Sequence, residues 1–587
     1  MKLSFGPRFE CVGIALIVTL LLTSTFDQYS YTYDQLRNLV VSDEILERGI
    51  PTYFGYNFYK HPPLLYYLIA LLSLSGISLH TSGQIIVLVF AFFSIIFTYK
   101  LGNELFDKNF ARVSSILLGV TPSFWVWGNR IMHETMIYFF FPATLYFFLL
   151  GIRRERTGDW ICFGLLLGLG LLAKVVMLLI IPIAIIFSLS SPRVVRFGKR
   201  VSYVNLGLIK KAMLSLFLAF LVYSPYLIYK VINHGPGIFE IWSKHVRGDI
   251  PWAKEIVHTP FYYYISNLHL TLSFLLTILF AVGLVFLILR KEKRLLLPLI
   301  WFLIIITFFS LPAYKEARLI NSLLPAAVFI GTYAIFELSR ILGKFAGIKP
   351  LRILPVIFIP ILAIQAFSSL SIVMNDGHWP ADWKMWEYLR ELKDDGGVIV
   401  SDYDYVAIRY FTGKHSEILP WGIPEHDILD GMMESSIYYI YRNDRSVPRE
   451  YFQKVKEFDE CNCSLYRIRD EMMENVTILK VYSGGKPLEG VIIRVFDQNG
   501  EVVYKVRSNR KGEAFLPLKD GYYYLTAEKI CYGRTEAYVE IREKEVYECE
   551  LISKVTIPFV VKCYGNEYEM NLEKRGCLFH GFTEARF

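Results

Sequence analysis

Charge is scarce in this chain. Asp, Glu, Lys and Arg make up 20% of its 587 residues, against about 25% in soluble domains. With 54% hydrophobic residues beside them, a soluble cytoplasmic enzyme is excluded, and so is a disordered chain. Zinc-finger spacing, a recognition helix and a dense basic patch are all missing, which removes nucleic acid from the expected partners. An internal repeat is missing too. What the chain has in quantity is aromatic residues, 39 Tyr and 44 Phe among them, as suits many crossings of a membrane interface.

The polarity is uneven. Residues 1–375 are apolar blocks separated by short charged loops, and residues 376–587 read as water-exposed protein. A bilayer core takes about 20 apolar residues per helix. Blocks of that size fall near 9–26, 84–101, 112–128, 135–151, 208–229, 265–289, 294–311, 319–338 and 351–373. The longer stretch 159–190 is interrupted by Lys174 and reads as two short helices meeting there, which makes eleven spans. The stretch 62–79 reads as an interfacial helix. With it off the span list, 21 Lys and Arg residues fall in alternate loops, and the positive-inside rule then puts the N-terminus in the cytoplasm and the C-terminal half outside. The expected fold class is a polytopic α-helical membrane protein of about eleven transmembrane helices, followed by an extracytoplasmic α/β unit and a β-sandwich. The expected domains are 1–375, 376–472 and 473–587.

The outer face then gathers several ionisable residues. Asp34 follows the first span in Tyr31-Thr32-Tyr33-Asp34-Gln35, ahead of a helix-like stretch from Leu36 to Arg48. It reads either as an N-cap or as a general base that takes a proton from an acceptor hydroxyl. Arg130, His133 and Glu134 stand at i, i+3 and i+4 after the third span. His133 and Glu134 could assist a metal, but two adjacent residues do not define a site. Lys174 interrupts 31 otherwise largely apolar residues, and ionisable residues within spans tend to be functional; snorkelling at a helix end is the structural alternative. Lys315 and Arg318 open a later span, where cations oppose the helix dipole unless an anion joins them. With Lys60 and His61, they suit the phosphate of a lipid whose tail stays in the bilayer.

Taken in order, the first-loop Asp34, the motif Lys60-His61-Pro62-Pro63-Leu64-Leu65-Tyr66-Tyr67, Glu134 after the third span, Lys174 and Tyr314-Lys315-Glu316-Ala317-Arg318 resemble the GT-C glycosyltransferases. The likeness covers residues 1–375 and is nearest to the branch of dolichyl-phosphate-mannose protein mannosyltransferases and bacterial aminoarabinose transferases. The resemblance implies an inverting transfer from a polyprenyl-phosphate sugar, with Asp34 as base and Glu134 as second acid. The expected donor-phosphate residues are Lys60, His61, Lys174, Lys315, Arg318 and Arg130. Two positions depart from the pattern: Gln35 stands where many relatives carry Glu, and His133 precedes the second acid. The Trp-Trp-Asp motif of oligosaccharyltransferases is absent, which argues against that branch.

Beyond residue 375, 396–470 alternates apolar strands with Gly- and Pro-bearing turns. From Val476 short strands separated by turns such as Asn499-Gly500 and Lys511-Gly512 suggest a sandwich. Lys486-Pro487-Leu488-Glu489-Gly490-Val491 resembles the carboxypeptidase regulatory-like fold, which implies a binding or spacer module. Cys461, Cys463, Cys531, Cys549, Cys563 and Cys577 lie in this half, and six cysteines allow 15 pairings. Asn462-Cys463-Ser464 and Asn475-Val476-Thr477 are glycosylation sequons.

The expected function is transfer of a single sugar from a polyprenyl (dolichyl-type) phosphate to a protein, lipid or glycan acceptor at the outer membrane face. Membrane lipids are the other partners. No cofactor is certain, and a divalent metal is left open. The alternative is a transporter or flippase, which should show internal repeats and broken helices at the midplane; the charges here cluster at one face instead.

Overall fold

The structure, a computed structural model, describes residues 7–24, 32–53, 56–58, 61–190, 206–234, 259–376 and 383–392, with shorter segments between 195 and 204, at 247, and between 399 and 568. Among the described residues, six helices are long and apolar enough to cross a bilayer: Leu79–Leu105, His133–Arg154, Leu206–Ile232, Lys293–Ser310, Ala317–Ala346 and Pro350–Ile372. Five shorter apolar helices accompany them: Glu10–Thr23, Leu64–Ser73, Thr157–Ala173, Val175–Leu189 and Phe274–Arg290. The chain is a polytopic helical membrane protein. Side chains such as Phe217, Phe220, Val356 and Phe367 stand exposed on two of the long helices, as lipid-facing positions should.

Two expectations about the spans meet the structure differently. The block 159–190 does break at the lysine. The helix Thr157–Ala173 ends, Lys174 is extended (φ −159°, ψ 133°), and a 3₁₀ turn Val175–Leu179 leads into Ile180–Leu189. The block 112–128, read as one span, is two helices, Lys108–Gly119 and Pro122–Gly128. Thr121 is extended and Pro122 opens the second helix, where its missing N–H costs nothing. The helix Leu64–Ser73 has ten residues, about 15 Å of length, half of what a bilayer core requires.

Small residues let the helices approach one another. Gly164 and Gly168 on one helix face Ser215 and Ala219 on Leu206–His234, and a Cβ added at Gly164 would lie 2.4 Å from the Ser215 carbonyl oxygen. The Ser215 hydroxyl donates to the Trp160 carbonyl at 2.7 Å. This is the small-xxx-small geometry of membrane helix pairs.

Backbone packing divides the chain into two units. One comprises 1–30, 41–53 and 57–378; the other comprises 31–40, 54–56 and 379–587. The helix Tyr33–Arg48 is thus shared out: its first turns count with the C-terminal unit. Its later residues Val41 and Ile45 join Phe58, Tyr66 and Ala70 in a buried cluster of the membrane unit.

The C-terminal unit begins with an α/β arrangement. A five-stranded sheet runs Ser416–Ile418, Ile399–Ser401, Tyr438–Arg442, Cys463–Ile468, Phe452–Phe458 in spatial order. Its first three strands are parallel and the rest antiparallel. The helices Trp383–Glu391 and Tyr405–Thr412 pack through a stack of Trp386 on Phe411, with centroids 4.2 Å apart. Residues 477–550 then form two four-stranded sheets. One holds Thr477–Ser483 with Lys486–Pro487, Glu513–Leu516 and Val546–Glu550; the other orders Val502–Arg507, Ile492–Phe496, Gly521–Lys529 and Gly533–Ile541. Val481, Ile493 and Val495 are fully buried. Gly512 sits at φ +73°, and a Cβ there would meet the Val481 carbonyl at 2.4 Å. Cys461 and Cys463 are buried, while Asn462 of the first sequon is exposed in the turn between them. Asn475 of the second lies outside the described residues.

Candidate active site

Glu134 is the second residue of the helix His133–Arg154, a position where the helix dipole favours a carboxylate. It is buried, and its Oε1 accepts a bond from Lys174 Nζ at 2.7 Å. Lys174 reaches it because the chain leaves the helix at Ala173, so the cation stands at a helix C-terminus, the complementary dipole end. The Glu134 side chain is 5% exposed and that of Lys174 25%; a buried charge of this kind needs its partner. Arg318, on the 3₁₀ turn Ala317–Leu323, acts electrostatically on Glu134, as does His133. The Arg318 Nε also meets Glu316 Oε2 at 2.5 Å.

An aromatic wall adjoins this pair. The buried His133 ring meets Tyr66 edge-on at 5.3 Å and lies 5.6 Å from the His61 ring. Arg130 places its guanidinium 5.1 Å from the centre of the Trp127 ring. Lys315 turns elsewhere: its Nζ donates to the carbonyls of Thr259 at 2.9 Å and Pro312 at 2.5 Å. Burial lowers its pKa from the ordinary lysine value. Lys60 lies outside the described residues.

Asp34 belongs to the C-terminal unit. The reading of it as an N-cap is overturned. The helix begins at Tyr33 with Asp34 inside its first turn, and the cap is Thr32. The Thr32 N–H donates to Gln35 Oε1 at 3.0 Å, and the Gln35 N–H to Thr32 Oγ1 at 3.4 Å. This Thr-x-x-Gln capping box explains Gln35 in structural terms. Asp34 pairs instead with Arg37, Oδ1 to Nη1 at 2.7 Å. That partner was missed in the sequence, although Asp and Arg at i, i+3 are helix neighbours. Tyr66 was missed as a neighbour of His133, because only the tertiary fold joins them. Among the described residues, no three His, Cys, Asp or Glu side chains converge as a metal site.

The helical architecture and the charge cluster at a helix break define a class. The membrane part of the chain has the fold of the GT-C superfamily of membrane glycosyltransferases. More narrowly, residues 60–229 match the model of a family described as dolichyl-phosphate-mannose-protein mannosyltransferase. A curated relative is the undecaprenyl phosphate-alpha-4-amino-4-deoxy-L-arabinose arabinosyl transferase 1 of Pseudomonas fluorescens, 24% identical over 365 residues, 57% of this chain and 59% of the relative. The match thus spans less than two thirds of that relative's length. Among solved structures, ArnT from Cupriavidus metallidurans bound to undecaprenyl phosphate superposes with a TM-score of 0.59 at 12% identity, covering 78% of this chain and 97% of that one. The Archaeoglobus fulgidus oligosaccharyltransferase in the apo form superposes with a TM-score of 0.52 at 11% identity, covering 92% and 99%. At these identities the structural likeness is one of fold.

Proposed function

We propose that the chain transfers a single sugar from a polyprenyl-phosphate donor to an acceptor hydroxyl, with inversion, at the outer face of the membrane. In this reading the N-terminus is cytoplasmic and the C-terminal units are extracytoplasmic. The observation that carries the reading is the ion pair of Lys174 on the buried Glu134, with Arg318, from a separate segment, acting on the same carboxylate electrostatically, in a fold shared with a transferase solved with undecaprenyl phosphate. Lys174 and Arg318 hold the donor phosphate, with Lys60, His61 and Arg130 around them. Glu316, the half-buried partner of Arg318, is the group an incoming phosphate displaces. Lys315 serves by fixing the turn that carries Arg318. Asp34 is the base: Thr32 and Gln35 already satisfy the helix start, and Arg37 orients the carboxylate. Phosphate is a good leaving group, so the acceptor's proton is the one that must be removed. Glu134 orients Lys174.

The test uses the purified full chain in nanodiscs, offered labelled undecaprenyl phosphate 4-amino-4-deoxy-L-arabinose or dolichyl phosphate mannose with protein, lipid and glycan acceptors. Asp34→Asn should lower turnover about 10²–10⁴-fold, the usual share of a general base, while donor binding persists. Wild-type turnover in Asp34→Asn would remove Asp34 from the chemistry.

A further inference from the structure

Asp34 does not stand alone in its unit. Arg37, which grips it, lies with its guanidinium carbon 5.9 Å from the centre of the Tyr33 ring. The Tyr33 hydroxyl lies 2.5 Å from that of Tyr405, with ring centroids 6.0 Å apart and the planes tilted by 59°. Carboxylate, guanidinium and two phenols thus form one connected set, and its far end is Tyr405, the first residue of the helix Tyr405–Thr412.

That end is well anchored. Tyr405 is 7% exposed, and its carbonyl accepts a bond from the Ser416 hydroxyl on the neighbouring strand. The same helix is held by Phe411 on Trp386, nearly parallel at 13°. Tyr33, by contrast, is 46% exposed; its ring is held by contacts at its hydroxyl and face. A hydroxyl pair fixes the direction of a side chain, and Tyr33 is the residue before Asp34.

We infer that the α/β unit is a positioning element for the base: Tyr405 holds Tyr33, and Tyr33 with Arg37 holds the first turn on which Asp34 is carried. The inference rests on the reading of Asp34 as base, and it gives the α/β unit a part in the reaction. Tyr33 and Tyr405 are positioning residues. They act through Asp34, so losing their contact should slow the chemical step and leave donor binding alone.

Two measurements on the full chain in nanodiscs test this with Tyr33→Phe and Tyr405→Phe, which keep both rings and remove one oxygen each. By hydrogen exchange, the amides of residues 36–40 should open about three- to tenfold more often in either variant, the effect of one lost hydrogen bond. Those of Leu64–Ser73 should be unchanged. Unchanged exchange at 36–40 overturns the inference whatever the enzyme does. By kinetics with the two labelled donors, kcat should fall about three- to tenfold with donor KM constant. In an Asp34→Asn background neither variant should lower kcat further. An equal further fall there would assign Tyr405 to general folding and overturn the inference. Full activity of Asp34→Asn itself would fell the base reading, while the exchange result would still decide the contact.

Discussion

Separating the Lys174–Glu134 pair should cost unequal amounts depending on which partner is removed. At 2.7 Å and an effective dielectric of about 20, the attraction is about 6 kcal/mol, most of it offset by desolvation. Lys174→Met leaves a carboxylate that is 5% exposed. Stranding a buried charge costs about 3–5 kcal/mol, and here the lower end is expected, because Arg318 and His133 also act on Glu134. Glu134→Gln leaves an ammonium that is 25% exposed and can recruit water, so about 1–3 kcal/mol is expected. The double variant removes both charges and should return close to the wild type, since a neutral pair of similar volume is often no less stable. Heating followed by fluorescence-detected gel filtration ranks the four proteins. The expected order is Lys174→Met lowest, Glu134→Gln next and the double variant near the wild type, with donor binding still lost in the double variant. Additive losses, or a harmless Lys174→Met, would refute the account of a buried pair whose stability and function separate.

Gly164→Ala should destabilise the chain by about 1–3 kcal/mol, because its Cβ would strike a backbone oxygen that cannot rotate away; thermal stability in detergent checks it, with Gly158→Ala, which meets no neighbour within 4 Å, as the control. Arg318→Ala should weaken binding of labelled undecaprenyl phosphate about ten- to hundredfold, the loss of one charge-assisted bond, measured by filter binding. A single cysteine at Ser75→Cys should react with an impermeant maleimide on sealed cells and one at Glu155→Cys should not; the reverse pattern would invert the assigned topology.

How far the sequence carries depends on the range of the contact. Lys174 could be read as a helix break because a single charge in a long apolar run has few structural uses. The break at Thr121-Pro122 was equally visible, since proline favours a helix start, but the apolar block masked it. Thr32 and Gln35 carry the spacing of a capping box, with Asp34 between them as a competing cap candidate. Strands from Val476 onward were legible because Gly-bearing turns such as Asn499-Gly500 and Lys511-Gly512 mark their ends, and the structure has seven longer strands between residues 477 and 550. Lys315 read as an anion ligand because its backbone acceptors at Pro312 and Thr259 are set by loop geometry. The Tyr33–Tyr405 contact has no local signature at all.

The sharing of Tyr31–Val40 with residues after 378 has a consequence for biogenesis. Tyr33 and Tyr405 are 372 residues apart, and at about 5–20 residues per second the ribosome needs about 20–75 s to make the second after the first. All six of the long membrane helices are synthesised in that interval. The turn bearing Asp34 therefore acquires its final surroundings only after Tyr405 of the 587 residues has been made, and a chain truncated or stalled before that point would reach the membrane without an organised base. For the same reason the C-terminal unit is not a detachable module: a chimaera that exchanges it must carry residues 31–40 from the same parent.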